Sequence, residues 1–392
     1  MKPAPMIRVG QAAEPADPMA WRDPMAWINE GLLINAFGAF LRRRFGGRIQ
    51  RVSLDAGLTC PNVDGAVAKG GCNFCDNRSF SPSRRVRLAR VRDQLTAGIT
   101  TVRHRYKKVA GFIAYFQPAT NTYAAIDGLA EMYRLALSVH DEVVGLAVGT
   151  RPDCVPDPVL DLLQELAVDH HVSLEFGMQT IHDASLRWMN RAHTHDDMIN
   201  AVDRTRGRGI DISGHVILGI PGETHAMMMR TADAVNELGL HSIKIHNLYA
   251  VHGTPLGDEV LSGKIQMMDR EDYVQTVVDF LERLDPAMVV ERISGDAPSG
   301  FLIEPKWCLE KSSLRISIED ELRRRGTRQG SRFTPPAVPP SERAVPGDAT
   351  PPSIAAKILG QSTSEPSSSI HGNDDSDRLV MRGRLPVLKL QR

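Results

Sequence analysis

The sequence predicts an α/β protein built around a parallel sheet. Short apolar strand patterns alternate with longer helical patterns from residue 49 to residue 249. That alternation is the mark of βαβ units around a parallel sheet. A run of three cysteines follows the first strand pattern directly, and the ends of parallel strands are where such folds gather their chemistry. With six or so units, either a barrel-like sheet or an open doubly wound one satisfies the pattern.

Residues 1 to about 28 are expected to form a flexible N-terminal leader rich in Pro, Ala and Met, with a tandem repeat, Asp17-Pro18-Met19-Ala20-Trp21 and Asp23-Pro24-Met25-Ala26-Trp27. Ile34 to Phe45 reads as a helix closed by Gly46-Gly47, with Arg42, Arg43 and Arg44 at the end that favours cations. Strands are expected at Ile49–Leu54, Gly111–Phe116, Val143–Thr150, Val172–Gln179, Ile210–Ile220 and Ser242–Tyr249. Helices are expected at Ala124–His140, Pro158–Val168, Asp183–Met189, Asp196–Gly207, Thr224–Leu238 and about Leu314–Arg325, the last as a lid beside the sheet. Residues 29–290 make up the core, and 291–326 a C-terminal extension on the substrate side. Residues 327–392, with nine prolines and Ser-rich runs, lack the apolar periodicity to offset ordering entropy, so a disordered tail is expected there.

The chain has 392 residues, beyond a usual single core, so one large domain with extensions or two domains is expected. Its 47 basic and 47 acidic side chains balance, which excludes a global field recruiting nucleic acid or membrane. No run of 18 apolar residues offers a transmembrane helix. Five cysteines argue against a secreted disulfide framework and for a reducing compartment, most simply the cytoplasm.

Cys60, Cys72 and Cys75 lie eleven and then two residues apart, with no nearby fourth Cys or His. A structural zinc site closes with four ligands. Three thiolates and a vacancy suit a four-iron cluster that keeps one iron open. A zinc site completed by a distant ligand, or plain buried thiols, is the competing reading of the same residues.

The cysteine loop resembles that of the radical SAM superfamily, specifically its Elp3-like branch and the bacterial family typified by YhcC and YtqA. The resemblance rests on Ser53–Asn62 and Gly70–Cys75, together with Phe116–Tyr123, Glu175–Thr180, Gly219–Glu223 and Arg292–Pro298, and spans roughly 30–325. It implies a partial (β/α)6-type parallel barrel with a C-terminal helical extension. It also implies a [4Fe-4S] cluster on Cys60, Cys72 and Cys75, with Phe74 shielding it, and S-adenosylmethionine on the open iron. Reductive cleavage to a 5′-deoxyadenosyl radical would follow, with an external flavodoxin- or ferredoxin-type electron donor.

For S-adenosylmethionine the candidates are Gln117, Thr120 and Asn121, which stand where related enzymes carry glycines. Glu175 and Gln179 share one strand face and suit the ribose. Arg187 and Arg191 suit the carboxylate, and the glycines Gly219 and Gly222 suit the adenine. Helix capping, an inward hydrogen-bond pair, a solvated helix face and a plain tight turn are the respective structural alternatives. His246 and Tyr249 are candidate hydrogen or proton donors, and Arg292 is expected to pair with Asp296 across the barrel mouth.

The substrate is less legible. Residues 78–108 hold ten basic side chains (Arg78, Arg84, Arg85, Arg87, Arg90, Arg92, Arg103, Arg105, Lys107 and Lys108) against the single acid Asp93. Phosphates bind such patches, and Elp3-like relatives act on tRNA, so RNA is a candidate substrate. A solvated basic helix face fits equally well, and no RNA-binding module is visible. The functional alternatives are a non-catalytic iron–sulfur redox or sensor protein and a zinc-stabilised RNA-binding protein.

Overall fold

The computed structural model describes residue 23 and residues 25–85 and 88–361. Its strands are β1 (Ile49–Leu54), β2 (Gly111–Phe116), β3 (Val143–Thr150), β4 (His171–Gln179), β5 (Asp211–Leu218), β6 (Ser242–Asn247), β7 (Ala250–Val251), β8 (Val289–Arg292) and β9 (Leu302–Glu304). The helices are α1 (Ala26–Asn29), α2 (Phe37–Phe45), α3 (Pro61–Asp64), α4 (Asn77–Phe80), α5 (Val91–Arg105), α6 (Ile126–Ser138), α7 (Asp157–Leu166), α8 (Asp183–Trp188), α9 (His195–Thr205), α10 (His225–Leu238), α11 (Pro255–Leu261), α12 (Arg270–Arg283), α13 (Lys311–Arg325) and α14 (Pro352–Ile358).

Seven strands form one parallel sheet in the order β1-β2-β3-β4-β5-β6-β8. No strand order reverses, which rejects the doubly wound alternative, whose switch point requires a reversal. The sheet curls until its edges approach. Arg51 of β1 reaches Glu291 of β8 at 2.5 Å, and Ala36, just before α2, bridges to Val290. A partial barrel results, its wall β2 buried along its whole length and its outer face covered by amphipathic helices. Local chemistry sets their ends: Thr194 and Asp197 form a capping box on α9, and Gly239 ends α10 in a left-handed conformation.

Three sequence expectations change. The seventh strand, β8, was not anticipated; it is four residues long, too short to show a period, and it crosses the expected domain boundary at 290/291. The leader is not free where it is described. Trp27 is fully buried and its indole Nε1 donates to the Pro286 carbonyl at 2.9 Å, while the first copy of the repeat lies outside the described residues. The tail is ordered through residue 361. Gln329 is buried and donates to the Asp285 and Met288 carbonyls, and Ile354 and Ile358 of α14 are fully buried in the main core. Two isoleucines at i, i+4 suffice to dock a short helix on an existing core, a contribution composition averages away. Residues 362–392 lie outside the described residues. Among the described residues no helix is long and apolar enough to cross a membrane.

Candidate active site

The lumen of the half-barrel is a cavity of about 1030 Å³ that opens at the C-terminal ends of the strands. That exceeds what one drug-sized ligand needs, so a cofactor and a second molecule can share it.

All three loop cysteines line this cavity and none is in a disulfide. Cys60 sits at the N-cap of α3, and the Cys75 amide donates to the Cys72 carbonyl at 3.1 Å. The turn after α8 pins the loop. Asn190, in a left-handed conformation, donates to the Gly71 carbonyl at 2.6 Å, and Asn73 reaches the Trp188 carbonyl at 2.9 Å. The Cys72 sulfur accepts hydrogen bonds from Arg191 at 3.2 Å and Asn62 at 3.4 Å.

Desolvation by the surrounding cavity wall, together with the nearby charges of Cys72 and Cys60, pushes the Cys75 thiol above its ordinary range against the pull of Arg191, although the residue itself keeps an exposed surface. Three thiolates this close repel one another unless a cationic centre lies between them. Among the described residues, no three His, Cys, Asp or Glu side chains close on a point as a single ion requires. Thiols that each meet a different iron of a cluster need no such convergence, and three of them on one loop fit such a cluster.

The expected cofactor residues divide. Gln117, Thr120, Glu175 and Gln179 line the cavity. Gln117 accepts from the Ser53 hydroxyl at 2.9 Å, and Gln179 sits at positive φ beyond an irregularity in the β4–β5 register. Glu175 is not a free acceptor. Its carboxylate is held by Arg51 at 3.0 Å, by the His215 ring at 3.2 Å and by Lys244. The Lys244 and Arg51 charges, with the His215 hydrogen bond, outweigh the burial cost and hold the carboxyl well below its usual range.

Asn121 is fully buried away from the cavity, its amide donating to the Phe116 and Gly149 carbonyls at 3.0 Å each. It caps strand ends and lines nothing. Arg187 is exposed outside the cavity. Helix α8 ends at Trp188, so Arg187 and Arg191 are not one turn apart on a common face, and only Arg191 turns inward. Gly219 and Gly222 do not line the cavity either; both take positive φ in the turn after β5, where a Cβ on Gly219 would meet Met268 at 3.3 Å.

Sequence reasoning missed two glycines and a charged cluster. Gly149 and Gly177, at the ends of β3 and β4, line the cavity. A Cβ on Gly177 would lie 2.9 Å from Gln179 Nε2 and 3.0 Å from Arg191 NH2, so these glycines keep a cradle open beside the cysteines. Deeper in the lumen, Glu291 binds Arg51 and accepts from Ser213 at 2.9 Å and Ser242 at 2.6 Å. Lys244 also donates to Tyr115 Oη at 3.1 Å. The legible signal was Lys244 itself, a cation between Ile243 and Ile245 at an inward position of β6.

Residues 67–235 match the model of the Radical SAM superfamily and residues 240–324 that of the Radical_SAM C-terminal domain. The chain is similar to the protein YtqA of Bacillus subtilis, 39% identical over 317 residues that cover 80% of this chain and 97% of that one. It is similar to the protein YhcC of Escherichia coli K12 at 36% identity, covering 79% and 98%. Its fold is similar to that of archaeal Elp3 from Methanocaldococcus infernus lacking N-terminal residues 1–46, with a TM-score of 0.56 at 18% identity over 72% of this chain and 64% of that one. With three cavity-facing thiols and an open glycine cradle beside them, the chain belongs to the radical SAM superfamily, as an enzyme of [4Fe-4S] and S-adenosylmethionine chemistry.

Proposed function

We propose that this enzyme reductively cleaves S-adenosylmethionine and uses the resulting 5′-deoxyadenosyl radical to abstract hydrogen from a substrate held in the barrel lumen. The observation that carries the reading is the shared cavity, in which three thiols, a glycine-bounded cradle and a polar inner wall face one another. Cluster and S-adenosylmethionine together supply a one-electron cleavage of the sulfonium C5′–S bond, giving methionine and the radical.

The chain's own residues do the rest. Cys60, Cys72 and Cys75 hold the cluster, and Arg191 and Asn62 steady the Cys72 sulfur. Gln117, Thr120 and Gln179 supply polar contacts to the cofactor, while the strand-end glycines let it approach the backbone. Phe74, packed against the buried cluster that includes Met189 and Leu248, keeps water from the loop. Such exclusion protects a reactive radical from side reactions. The electron comes from a flavodoxin- or ferredoxin-type donor, in the cytoplasm.

RNA is the substrate class favoured by the outer face of α5 and the loop that follows, where Arg92, Arg103, Arg105, Lys107 and Lys108 are all exposed. Several basic side chains of this stretch are already paired: Arg84 with Asp55 at 3.0 Å, Arg78 with Asp76, Arg90 with Asp93 and Arg103 with Glu142. Arg87 lies outside the described residues. RNA binding that weakens steeply with salt, and more so in an Arg92→Gln/Lys107→Gln variant, would support this partner; salt-insensitive or absent binding would remove it.

The test of the chemistry is anaerobic reconstitution with iron and sulfide, reduction by dithionite, and assay for 5′-deoxyadenosine, with Cys72→Ala as control. Cysteine-dependent release is expected. A protein that takes up one zinc and no iron would overturn the reading.

A further inference from the structure

A register shift on the last strand equips the lumen with a cation that no acid neutralises. Along β8, alternation places Val290 in the core beneath the helices and Glu291 in the lumen, so Arg292 would ordinarily point outward. The β6–β8 ladder slips instead: Ser242 pairs with Val289 and Ile243 with Val290, but Lys244 pairs with Arg292. Residues in register on neighbouring strands share a face. The shift therefore turns Arg292 toward the side of Lys244, and consecutive residues Glu291 and Arg292 both line the cavity. Irregularities of this kind re-aim side chains beside active sites.

The three cations deepest in the lumen are matched, while Arg191 is engaged by the Cys72 sulfur and the Gly177 carbonyl. Arg51 has Glu175 and Glu291, Lys244 has the same two carboxylates, and Arg151 has Asp153 at 2.8 Å. The acid expected for Arg292 is Asp296, and it is taken by Lys311 at 2.8 Å. Arg292 has no acidic partner among the described residues.

Its surroundings are equally prepared. The Arg292 charge acts on His246 and Tyr249. Burial first, and Arg292 next, keep the His246 ring neutral, and its buried Nε2 has no hydrogen-bond partner. The turn after β8 fixes that ring: the Gly295 amide donates to Asn247 Oδ1 at 2.9 Å, and a Cβ on Gly295 would lie 2.9 Å from His246 Nδ1 and 3.3 Å from Tyr249. A guanidinium without a counter-ion, an unpartnered imidazole nitrogen and a phenol together present donors in the lumen wall.

We infer that Arg292, with His246 and Tyr249 beside it, forms a subsite for an oxyanion of the substrate, a carboxylate or a phosphate. The subsite deepens the function proposed above, on which it depends only for calling its ligand the substrate. Arginine holds such groups through paired hydrogen bonds in a fixed fork.

The experiment is calorimetric titration of the reconstituted holoenzyme, with S-adenosylmethionine bound, using inorganic phosphate, malonate and a short single-stranded oligoribonucleotide as probes. Arg292→Gln should weaken at least one probe by about tenfold or more, with Arg292→Lys intermediate and S-adenosylmethionine affinity unchanged. Loss confined to phosphate or malonate identifies a small anionic substrate; loss confined to the oligonucleotide identifies its phosphates as the source. Probes that bind Arg292→Gln as they bind wild type, or not at all to either, overturn the subsite. So does a variant that loses S-adenosylmethionine instead, which would assign Arg292 to the cofactor. Cluster absorbance and S-adenosylmethionine binding, read on the same samples, separate failure of the subsite from failure of the radical chemistry.

Discussion

Arg51 on the first strand and Glu291 on the last are joined at 2.5 Å across the lumen, so one ion pair spans the two edges of a curled sheet. Glu175 and Lys244 extend it into a four-charge cluster. Each member is neutralised by its neighbours, and the pair closes the half-barrel where no backbone ladder does.

Removing one partner leaves buried charge uncompensated. Glu291→Ala leaves Glu175 alone to face both Arg51 and Lys244 and takes the acceptor from Ser213 and Ser242, and should cost about 3–5 kcal/mol in urea unfolding of the apoprotein. A loss below about 1 kcal/mol would show that the pair does not close the barrel.

His171 sets an acid limit on stability. Burial, opposed by Asp211 and reinforced by Arg44, depresses its imidazole to about 4 from an ordinary 6.5. A depressed group contributes stability that is present in full above the unfolded value and is lost as pH falls through the folded one. The contribution of His171 to the unfolding free energy should therefore drop by about 3 kcal/mol between pH 6.5 and 4. His171→Phe should flatten that part of the profile, and an unchanged slope would contradict the assignment.

Hydrogen bonds to cluster sulfurs tune reduction potential, and Arg191 donates to the Cys72 sulfur at 3.2 Å. Arg191→Ala should hold a cluster with a more negative midpoint potential in an EPR-monitored titration. Equal potentials in variant and wild type would remove Arg191 from the cluster's electronics.

Gly177→Ala places a methyl group against Gln179 and Arg191. Cluster absorbance should survive while S-adenosylmethionine binding weakens at least about tenfold, the scale of one lost close approach. Unaltered affinity would move the cradle elsewhere in the lumen.

The described part of the C-terminal arm returns to the cysteine loop. Ser353 Oγ donates to the Ala66 carbonyl at 3.1 Å, and Lys357 pairs with Asp64 at 3.2 Å. Ile354→Ala should cost about 2–4 kcal/mol and speed alkylation of the loop thiols in the apoprotein. Unchanged stability would mean that the arm is not part of the core.

Much of this architecture was legible in the sequence because its signals are local. Six strands and their helices show as hydrophobic runs, and three thiols at unusual spacing announce themselves without tertiary help. The missed features are made by three-dimensional encounters. The partnering of Glu175 depends on residues from β1, β5 and β6, and Arg292 owes its direction to a register slip that leaves no mark in composition. Arg187 and Arg191 looked equivalent by spacing, yet α8 ends between them. The tail misled because two buried isoleucines at residues 354 and 358 are outvoted by the prolines around them.

The central claim is that three cysteines hold a cluster whose remaining iron receives S-adenosylmethionine. EPR of the dithionite-reduced holoenzyme, recorded with and without S-adenosylmethionine, tests it most directly. The reduced-cluster signal should shift in g-values when S-adenosylmethionine is added. A signal that S-adenosylmethionine leaves unmoved at saturating concentration would contradict it.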